Sequence, residues 1–246
     1  MADYNTRLFS KGFRGWLHNS RFLWFKETAR RLFAHPVRAV ELGCFDGRLL
    51  GYFPKPPVQY EGFDANWEGG LASAKRRFTD LGHWRFHKAE VPSDLSWLPD
   101  RHFEVAVSLE TLEHVPPAMV DGYLAELARV TEGYLLVSVP NEKGLVFIVK
   151  YLGKKLIYGG GEKYRLKEVV AATLGRTDKV ERRDHKGFDW ANLVQEIGRH
   201  FEVTEVGALP VRWLPPSFAF TVAIVARSRP EPEIGTDRGA HPGVAP

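Results

Sequence analysis

The sequence predicts an α/β fold in which helices cover both faces of a mostly parallel, seven-stranded sheet. First, seven short apolar runs, each typical of a buried strand, recur along the chain at 37–42, 60–63, 84–87, 103–109, 134–139, 201–206 and 218–226. Second, helical stretches lie between most of them, notably at 69–81, 117–130 and 190–200. Such alternation is typical of parallel strands. Third, no helical stretch separates the last two runs, so we expect an antiparallel hairpin at the sheet edge.

The composition is that of one α/β domain with a sizeable core. The chain has 246 residues, of which 44% are hydrophobic. Its single cysteine excludes an intrachain disulfide and fits a reducing compartment. No apolar stretch reaches the roughly 20 residues that span a bilayer, and the amino terminus lacks the apolar core of a signal peptide. We therefore expect a cytoplasmic location.

The pattern divides the chain into three parts. Residues 1–36 interleave aromatic and basic side chains and predict one or two amphipathic helices that cap the active site. Residues 37–227 carry the alternating pattern, and an insertion at 141–183 is expected to form a lid over the carboxyl ends of the strands, where ligands bind in such sheets. Residues 228–246 are rich in Pro, Gly and charge, which predicts a disordered tail.

Two basic segments flank a more acidic body. Residues 1–38 carry eight Lys/Arg and two Asp/Glu, a net charge of +6, and residues 143–183 carry eleven and four, a net of +7. Since the whole chain has +4, the remainder has −9. Basic segments suit phosphate, nucleic acid or an anionic membrane, and they equally suit solvated helical faces. The basic aromatic helices of the amino terminus also predict peripheral contact with the inner membrane face.

A glycine-containing turn follows the first predicted strand and reads Glu41-Leu-Gly43-Cys44-Phe45-Asp46-Gly47. Glycine lets the backbone approach a ligand, and the next helix would present its amino terminus there. Asp64 ends the second strand about 20 residues later, where nucleotide-binding sheets carry an acidic residue that grips ribose hydroxyls. The alternative is a tight strand-to-helix turn with no ligand.

The order of these features resembles the class I S-adenosylmethionine-dependent methyltransferase family, which has a Rossmann-like sheet. The resemblance covers roughly residues 37–227 and extends to Ala89-Glu90 and to Val137-Ser-Val-Pro140-Asn141 at strands three and five. The family usually has a second glycine where this chain has Phe45, which is a departure. The turn also lacks the full dinucleotide fingerprint, which argues against NAD.

The resemblance implies a set of cofactor-binding residues. The Gly43 turn would hold the methionine part of S-adenosylmethionine, Asp64 the ribose, and Ala89-Glu90 would lie near the adenine. Leu109 would line the pocket of the methyl donor. The full set is Glu41, Gly43, Cys44, Phe45, Asp46, Gly47, Asp64, Ala65, Ala89, Glu90 and Leu109.

Candidate catalytic residues follow the fourth predicted strand. If the chain turns helically there, Glu110, Glu113 and His114 share one face, because their spacing is i, i+3, i+4. His185 would arrive from the insertion as a fourth ligand. Two oxygen ligands and an imidazole suit Mg²⁺, Mn²⁺, Fe²⁺ or Zn²⁺, and hard oxygens favour the first two. A metal would lower the pKa of an acceptor hydroxyl. Alternatively, His114 serves as a general base without metal, and His185 orients a loop.

The Glu-x-x-Glu-His pattern of Glu110, Glu113 and His114 resembles two methyltransferase groups. One is the ubiquinone-pathway O-methyltransferases, and the other is the small-RNA 3′-terminal 2′-O-methyltransferases, whose metal is held by Glu, Glu, His and a distal His. Both groups act on vicinal oxygens. The segment around His185 also resembles the part of the RNA enzymes that carries the distal His.

The sequence therefore predicts an S-adenosylmethionine-dependent O-methyltransferase. Its acceptor would be a small molecule, a glycan or a lipid-linked saccharide, methylated on one hydroxyl of a vicinal pair. The alternative is an RNA 3′-terminal 2′-O-methyltransferase, against which stand the absence of a separate RNA-binding motif and the modest net charge. A third interpretation, prompted by Phe45, is a non-enzymatic binding protein on a degraded methyltransferase fold.

Overall fold

A seven-stranded sheet forms the centre of the molecule. The structure is a computed structural model that describes residues 13–79, 82–158, 164–182 and 185–230. The strands are β1 (Arg38–Leu42), β2 (Gln59–Asp64), β3 (Trp84–Lys88), β4 (Phe103–Leu109), β5 (Thr131–Pro140), β6 (Phe201–Leu209) and β7 (Thr221–Ser228). Their spatial order is β3-β2-β1-β4-β5-β7-β6. The first five strands are parallel, whereas β7 is antiparallel to both of its neighbours. The predicted fold class and carboxyl-terminal hairpin are confirmed.

Helices cover both faces of this sheet. They are α1 (Phe13–Leu32), α2 (Gly70–Arg77), α3 (Pro117–Val130), α4 (Gly144–Tyr158), α5 (Leu166–Thr173) and α6 (Trp190–His200). Phe25 of α1 and Leu71 of α2 are buried in one cluster, and Leu124 of α3 and Ile197 of α6 are buried in another. Neighbouring strand residues divide between these clusters, as alternating side chains must: Ala39 lies in the first and Val40 in the second. Parallel strands buried on both faces explain the continuous apolar runs.

Several element boundaries differ from those predicted. A 3₁₀-helix at Arg48–Tyr52, rather than an α-helix, follows the glycine turn, so the expected α-helical amino terminus is absent there. The last strand begins at Thr221, because Pro216–Phe218 form a short 3₁₀-helix. α2 ends at Arg77, while the predicted helix extended to residue 81.

The amino-terminal cap and the insertion are both helical. In the described part of residues 1–36 the cap is one helix, α1, and residues 1–12 lie outside the described residues. The insertion contains α4 and α5, which pack through Phe147, Ala171 and Ala172. Among the described residues, no helix is long and apolar enough to cross a bilayer. The predicted disordered tail began at residue 228, but Ser228 is the buried last residue of β7. Residues 231–246 of that tail lie outside the described residues.

Candidate active site

The turn after β1 is built around a left-handed glycine. Gly43 has a φ of 85°, and a side chain there would overlap Thr111, since a Cβ would lie 2.7 Å from the Thr111 Cβ. The amides of Gly43 and Cys44 both donate to the Phe63 carbonyl, at 2.7 and 3.1 Å. The turn is thus clamped between the end of β2 and the segment after β4. Only glycine combines this backbone angle with this close approach.

Phe45 adopts the backbone conformation that a glycine would give. Its φ is 46°, in the left-handed region that non-glycine residues seldom enter. The ring lies against Gly70 at the start of α2, where an added Cβ would come within 2.7 Å of the Phe45 carbonyl carbon. The departure from the family pattern therefore preserves the shape of the turn, because Gly70 leaves room for the Phe45 ring.

Asp64 holds this turn from the end of β2. Its Oδ2 accepts a hydrogen bond from the Phe45 amide at 3.0 Å, and its Oδ1 accepts one from the Asn66 amide at 2.6 Å. Burial raises the pKa of Asp64, and these two amides counteract the rise. A carboxylate offers about four lone-pair sites. The geometry therefore leaves acceptor capacity for two ribose hydroxyls.

Glu41 lies under the turn, fully inside the protein. Its carboxyl accepts a short hydrogen bond from the Tyr60 hydroxyl. Burial raises the pKa of Glu41 to about 8, and the Tyr60 hydrogen bond opposes that rise. Burial also raises the pKa of Cys44 well above its ordinary value, which leaves the thiol protonated and inert. Both residues thus support the turn from below.

The remaining predicted cofactor residues border the same strand ends. The Ala89 amide donates to the Asp64 carbonyl at 3.0 Å, and Ala89 is buried. The Glu90 side chain is exposed, while its amide donates to Asp94 at 2.7 Å. Asp46 binds the Arg48 guanidinium, Gly47 lies five residues after β1, Ala65 directly follows β2, and Leu109 is the last residue of β4. The predicted cofactor residues therefore lie at or after the carboxyl ends of β1, β2, β3 and β4.

The chain does not turn helically after β4, contrary to the sequence prediction. Glu110 has a φ of 55°, which ends the strand abruptly, and its amide donates to the Ser138 carbonyl at 2.8 Å. Its carboxyl lies 3.5 Å from the Ser138 hydroxyl. Burial raises its pKa, and the cations Arg21 and Lys150 oppose the rise. Glu110 therefore faces β5 and α1, outside the group that Glu113 forms.

Glu113, His114 and His185 form that group. One ligand atom from each lies within 4.8 Å of the others. The two imidazole rings meet edge to face with centroids 4.3 Å apart, and His114 Nε2 lies 4.0 Å from Glu113 Oε1. Glu113 is buried, and neither of its carboxyl oxygens has a hydrogen-bond partner among the described residues. Burial, together with the Glu110 charge, raises the Glu113 pKa well above its ordinary value.

The segment that carries His185 is anchored on both sides. Lys186 Nζ binds Glu168 Oε1 of α5 at 2.8 Å. Asp189 caps α6 by accepting the Ala191 amide at 2.8 Å, and it also accepts the Thr177 hydroxyl at 2.7 Å. These contacts bring His185 to Glu113 from about 70 residues away along the chain. Asp184, its neighbour, lies outside the described residues.

Arg21 of α1 was missed by the sequence reasoning. Burial lowers the pKa of its guanidinium, and the nearby carboxylates Glu110, Glu113 and Glu41 oppose that lowering. The only sequence signal was a basic residue within an aromatic, amphipathic segment, and that signal does not reveal which way the side chain points. The helix α1 therefore contributes a positive charge near Glu110 and Glu113.

Comparison with known proteins identifies the family of the chain. A family model described as a methyltransferase domain matches residues 13–202. The chain belongs to this methyltransferase family. No curated protein matches the sequence.

Solved structures share the fold at low identity. The magnesium protoporphyrin IX methyltransferase of Synechocystis PCC 6803, solved with S-adenosylhomocysteine, is 15% identical with a TM-score of 0.58, covering 91% of this chain and 92% of that one. The methyltransferase domain of bacterial CtHen1 is 15% identical with a TM-score of 0.54, covering 86% and 99%. The CurJ carbon methyltransferase is 13% identical with a TM-score of 0.56, covering 91% and 57%.

The chain is thus a class I S-adenosylmethionine-dependent methyltransferase. The family match covers the glycine turn, Asp64 and the Glu113 group within one domain. One of these neighbours is a methyltransferase of magnesium protoporphyrin IX, and another is a carbon methyltransferase. One fold therefore serves several acceptors, and the acceptor must be argued from the site.

Proposed function

We propose that this methyltransferase transfers the methyl group to one hydroxyl of a vicinal pair on a small molecule, a glycan or a lipid-linked saccharide. A divalent metal held by Glu113, His114 and His185 would assist the transfer. The observation that carries the proposal is the convergence of these three ligands beside the turn that would hold the cofactor. A vicinal pair suits such a site because its two oxygens can chelate one metal ion.

The residues present fit a divalent metal. A buried carboxyl with no hydrogen-bond partner is costly, and a bound cation would compensate it. One carboxylate and two imidazoles suit Mn²⁺, Fe²⁺ or Zn²⁺ better than Mg²⁺, because imidazole favours transition metals. Since Glu110 lies outside the group, this ligand set is richer in nitrogen than the sequence suggested. When bound, the metal would supply Lewis acidity that lowers the pKa of the acceptor hydroxyl.

The protein's own groups would do the rest of the work. The Gly43 turn and Asp64 would hold the cofactor. Without a metal, His114, which is partly exposed, would instead accept the proton of the acceptor hydroxyl as a general base. Arg21 would balance the negative charge of the two glutamates near this point.

Calorimetric titration tests the proposal. S-adenosylhomocysteine and, separately, Mn²⁺, Zn²⁺ and Mg²⁺ are titrated into the wild-type chain, Glu113→Gln and the matched control Glu110→Gln. We expect cofactor binding in all three proteins, and transition-metal binding that is lost in Glu113→Gln but retained in Glu110→Gln. Cofactor binding without metal binding would leave His114 as a simple base, and the metal part of the proposal would be wrong. Absence of cofactor binding would overturn the assignment of the site.

A second candidate is methylation of the 2′-hydroxyl at the 3′ end of RNA. The distal position of His185, together with the fold shared with the CtHen1 domain, supports it. Methyl transfer from labelled cofactor to an RNA with a 3′-terminal diol, compared with the same RNA after periodate oxidation, decides between the candidates. Transfer that requires the diol, together with salt-sensitive RNA binding, would favour RNA over a small acceptor.

A further inference from the structure

Two helices of the insertion present rows of aliphatic side chains to solvent. On α4 the row is Leu145, Val149 and Leu152, and on α5 with its following residue it is Leu166, Val170 and Leu174. These six side chains are between 48% and 80% exposed. Their spacings of three and four residues place each row on one side of its helix.

The opposite sides of the two helices are committed to the protein interior. Phe147 of α4 is buried against Ala171 and Ala172 of α5. Lys150 binds Glu142 at 2.6 Å, which ties α4 to the end of β5. The outward direction of the rows is therefore set by packing. Because both rows lie on the sides of α4 and α5 that face away from their mutual contact, they form two separate surfaces. Isolated exposed aliphatic residues are ordinary, but an exposed row on one helix marks an interaction surface.

The charges around the rows favour an anionic partner. The exposed charged side chains within the described residues 164–182 are four cations and two acids: Arg165, Lys167, Arg176, Lys179, Asp178 and Glu181. The whole segment 143–183 carries a net charge of +7. Both rows are aliphatic, whereas surfaces that bind single-stranded nucleic acid rely on aromatic stacking. Aliphatic rows bordered by cations match the acyl chains and headgroups of an anionic bilayer surface.

We propose that α5 docks on the surface of a membrane containing anionic lipid. The row of Leu166, Val170 and Leu174 enters the boundary between headgroups and acyl chains, and the neighbouring cations contact lipid phosphates. Because Lys186, the neighbour of His185, binds Glu168 of α5, docking also holds the Glu113 group near the bilayer. The docking holds whichever acceptor the site uses, so it does not depend on the proposed reaction.

Vesicle sedimentation of the full chain tests this proposal. Vesicles of phosphatidylcholine alone are compared with vesicles that also contain phosphatidylglycerol. One variant, Leu166→Ser with Leu174→Ser, shortens the α5 row, and a second, Lys167→Glu with Arg176→Glu, reverses two charges. The matched control, Leu145→Ser with Val149→Ser, removes two aliphatic side chains of the separate α4 row, which are 61% and 59% exposed.

We expect binding to the anionic vesicles only, reduced about tenfold or more by the α5 row variant and by charge reversal. The control should bind like the wild type, and all variants should keep their affinity for S-adenosylhomocysteine. Failure to bind either vesicle would overturn the proposal, and so would equal loss in the control. Sedimentation velocity adds a further check: a wild-type dimer that becomes monomeric in the row variant, without vesicle binding, would identify a contact between copies instead. RNA binding lost on charge reversal but not in the row variant would likewise overturn it.

Discussion

Replacing Glu41 by glutamine should remove a pH-dependent loss of stability. The Glu41 carboxyl is buried at the end of β1, just before the Gly43 turn, and burial raises its pKa from 4.5 to about 8. Between these two pH values the unfolded chain releases the Glu41 proton, whereas the folded chain keeps it. The free energy of unfolding therefore falls as pH rises through this window. Glutamine is close in size, cannot ionise, and can still accept a hydrogen bond from Tyr60.

The magnitude follows from the shift. Each pH unit costs about 1.4 kcal/mol while one proton is held only by the folded state. A window from 4.5 to about 8 thus corresponds to about 5 kcal/mol, most of it lost by neutral pH. Above pH 8 the contribution of Glu41 becomes constant, because both states are then ionised.

Urea unfolding of the cofactor-free chain, followed by tryptophan fluorescence from pH 5 to pH 9, measures this effect. The informative quantity is the difference in unfolding free energy between wild type and Glu41→Gln, since their other titrating groups are shared. As the pH rises, we expect this difference in unfolding free energy to change by several kcal/mol in favour of Glu41→Gln, and to become constant above about pH 8. Tyr60→Phe removes the hydrogen bond that lowers the Glu41 pKa, so its slope should continue to higher pH. Parallel curves for wild type and Glu41→Gln would refute the reasoning, because Glu41 would then be ionised in the folded protein at every pH tested.

Three further substitutions test the site. Gly43→Ala should lower the affinity for S-adenosylhomocysteine by more than tenfold in calorimetry, because the new Cβ would overlap Thr111. The control Gly198→Ala should not change this affinity, because the space around Gly198 is open. Asp64→Asn leaves one of the two backbone N–H donors facing an amide NH₂ group, which cannot accept its hydrogen bond. We therefore expect the free energy of unfolding to fall by about 1–3 kcal/mol, and the affinity for S-adenosylhomocysteine to fall as well. Unchanged values would show that those hydrogen bonds contribute nothing. For Glu113→Gln, the free energy of unfolding in urea, measured at pH 8 with a metal chelator, should equal or exceed that of the wild type. The reason is that a buried carboxylate without hydrogen bonds opposes folding. A clear loss of stability would show that Glu113 has a structural partner.

Most of the sheet could be predicted because its information is local. The run Phe103–Leu109 is apolar throughout, as a strand buried on both faces must be, and the structure gives β4 the same limits. Pro117 likewise marked the start of α3, since proline suits the first turn of a helix. The 3₁₀-helix after Gly47 could not be predicted, because the same residues would also have suited an α-helix. Arg21 was missed for a different reason: its contact with the site depends on how α1 lies on the sheet, and that is tertiary information.

Two residues that follow strands at the candidate site share a backbone conformation that the sequence does not reveal. Phe45 and Glu110 follow the adjacent strands β1 and β4, and both have a positive φ although neither is glycine. Such conformations cost about 1–3 kcal/mol each and persist only where surrounding contacts impose them. Here Gly70 accommodates the Phe45 ring, and the Ser138 carbonyl accepts the Glu110 amide. At Phe45 the result is a turn held by Asp64, and at Glu110 it is a chain reversal that separates its carboxyl from the Glu113 group. A prediction based on spacing alone assumes a regular backbone after each strand, and it therefore placed Glu110 among the candidate metal ligands. In the structure the Glu110 carboxyl lies outside the group of Glu113, His114 and His185.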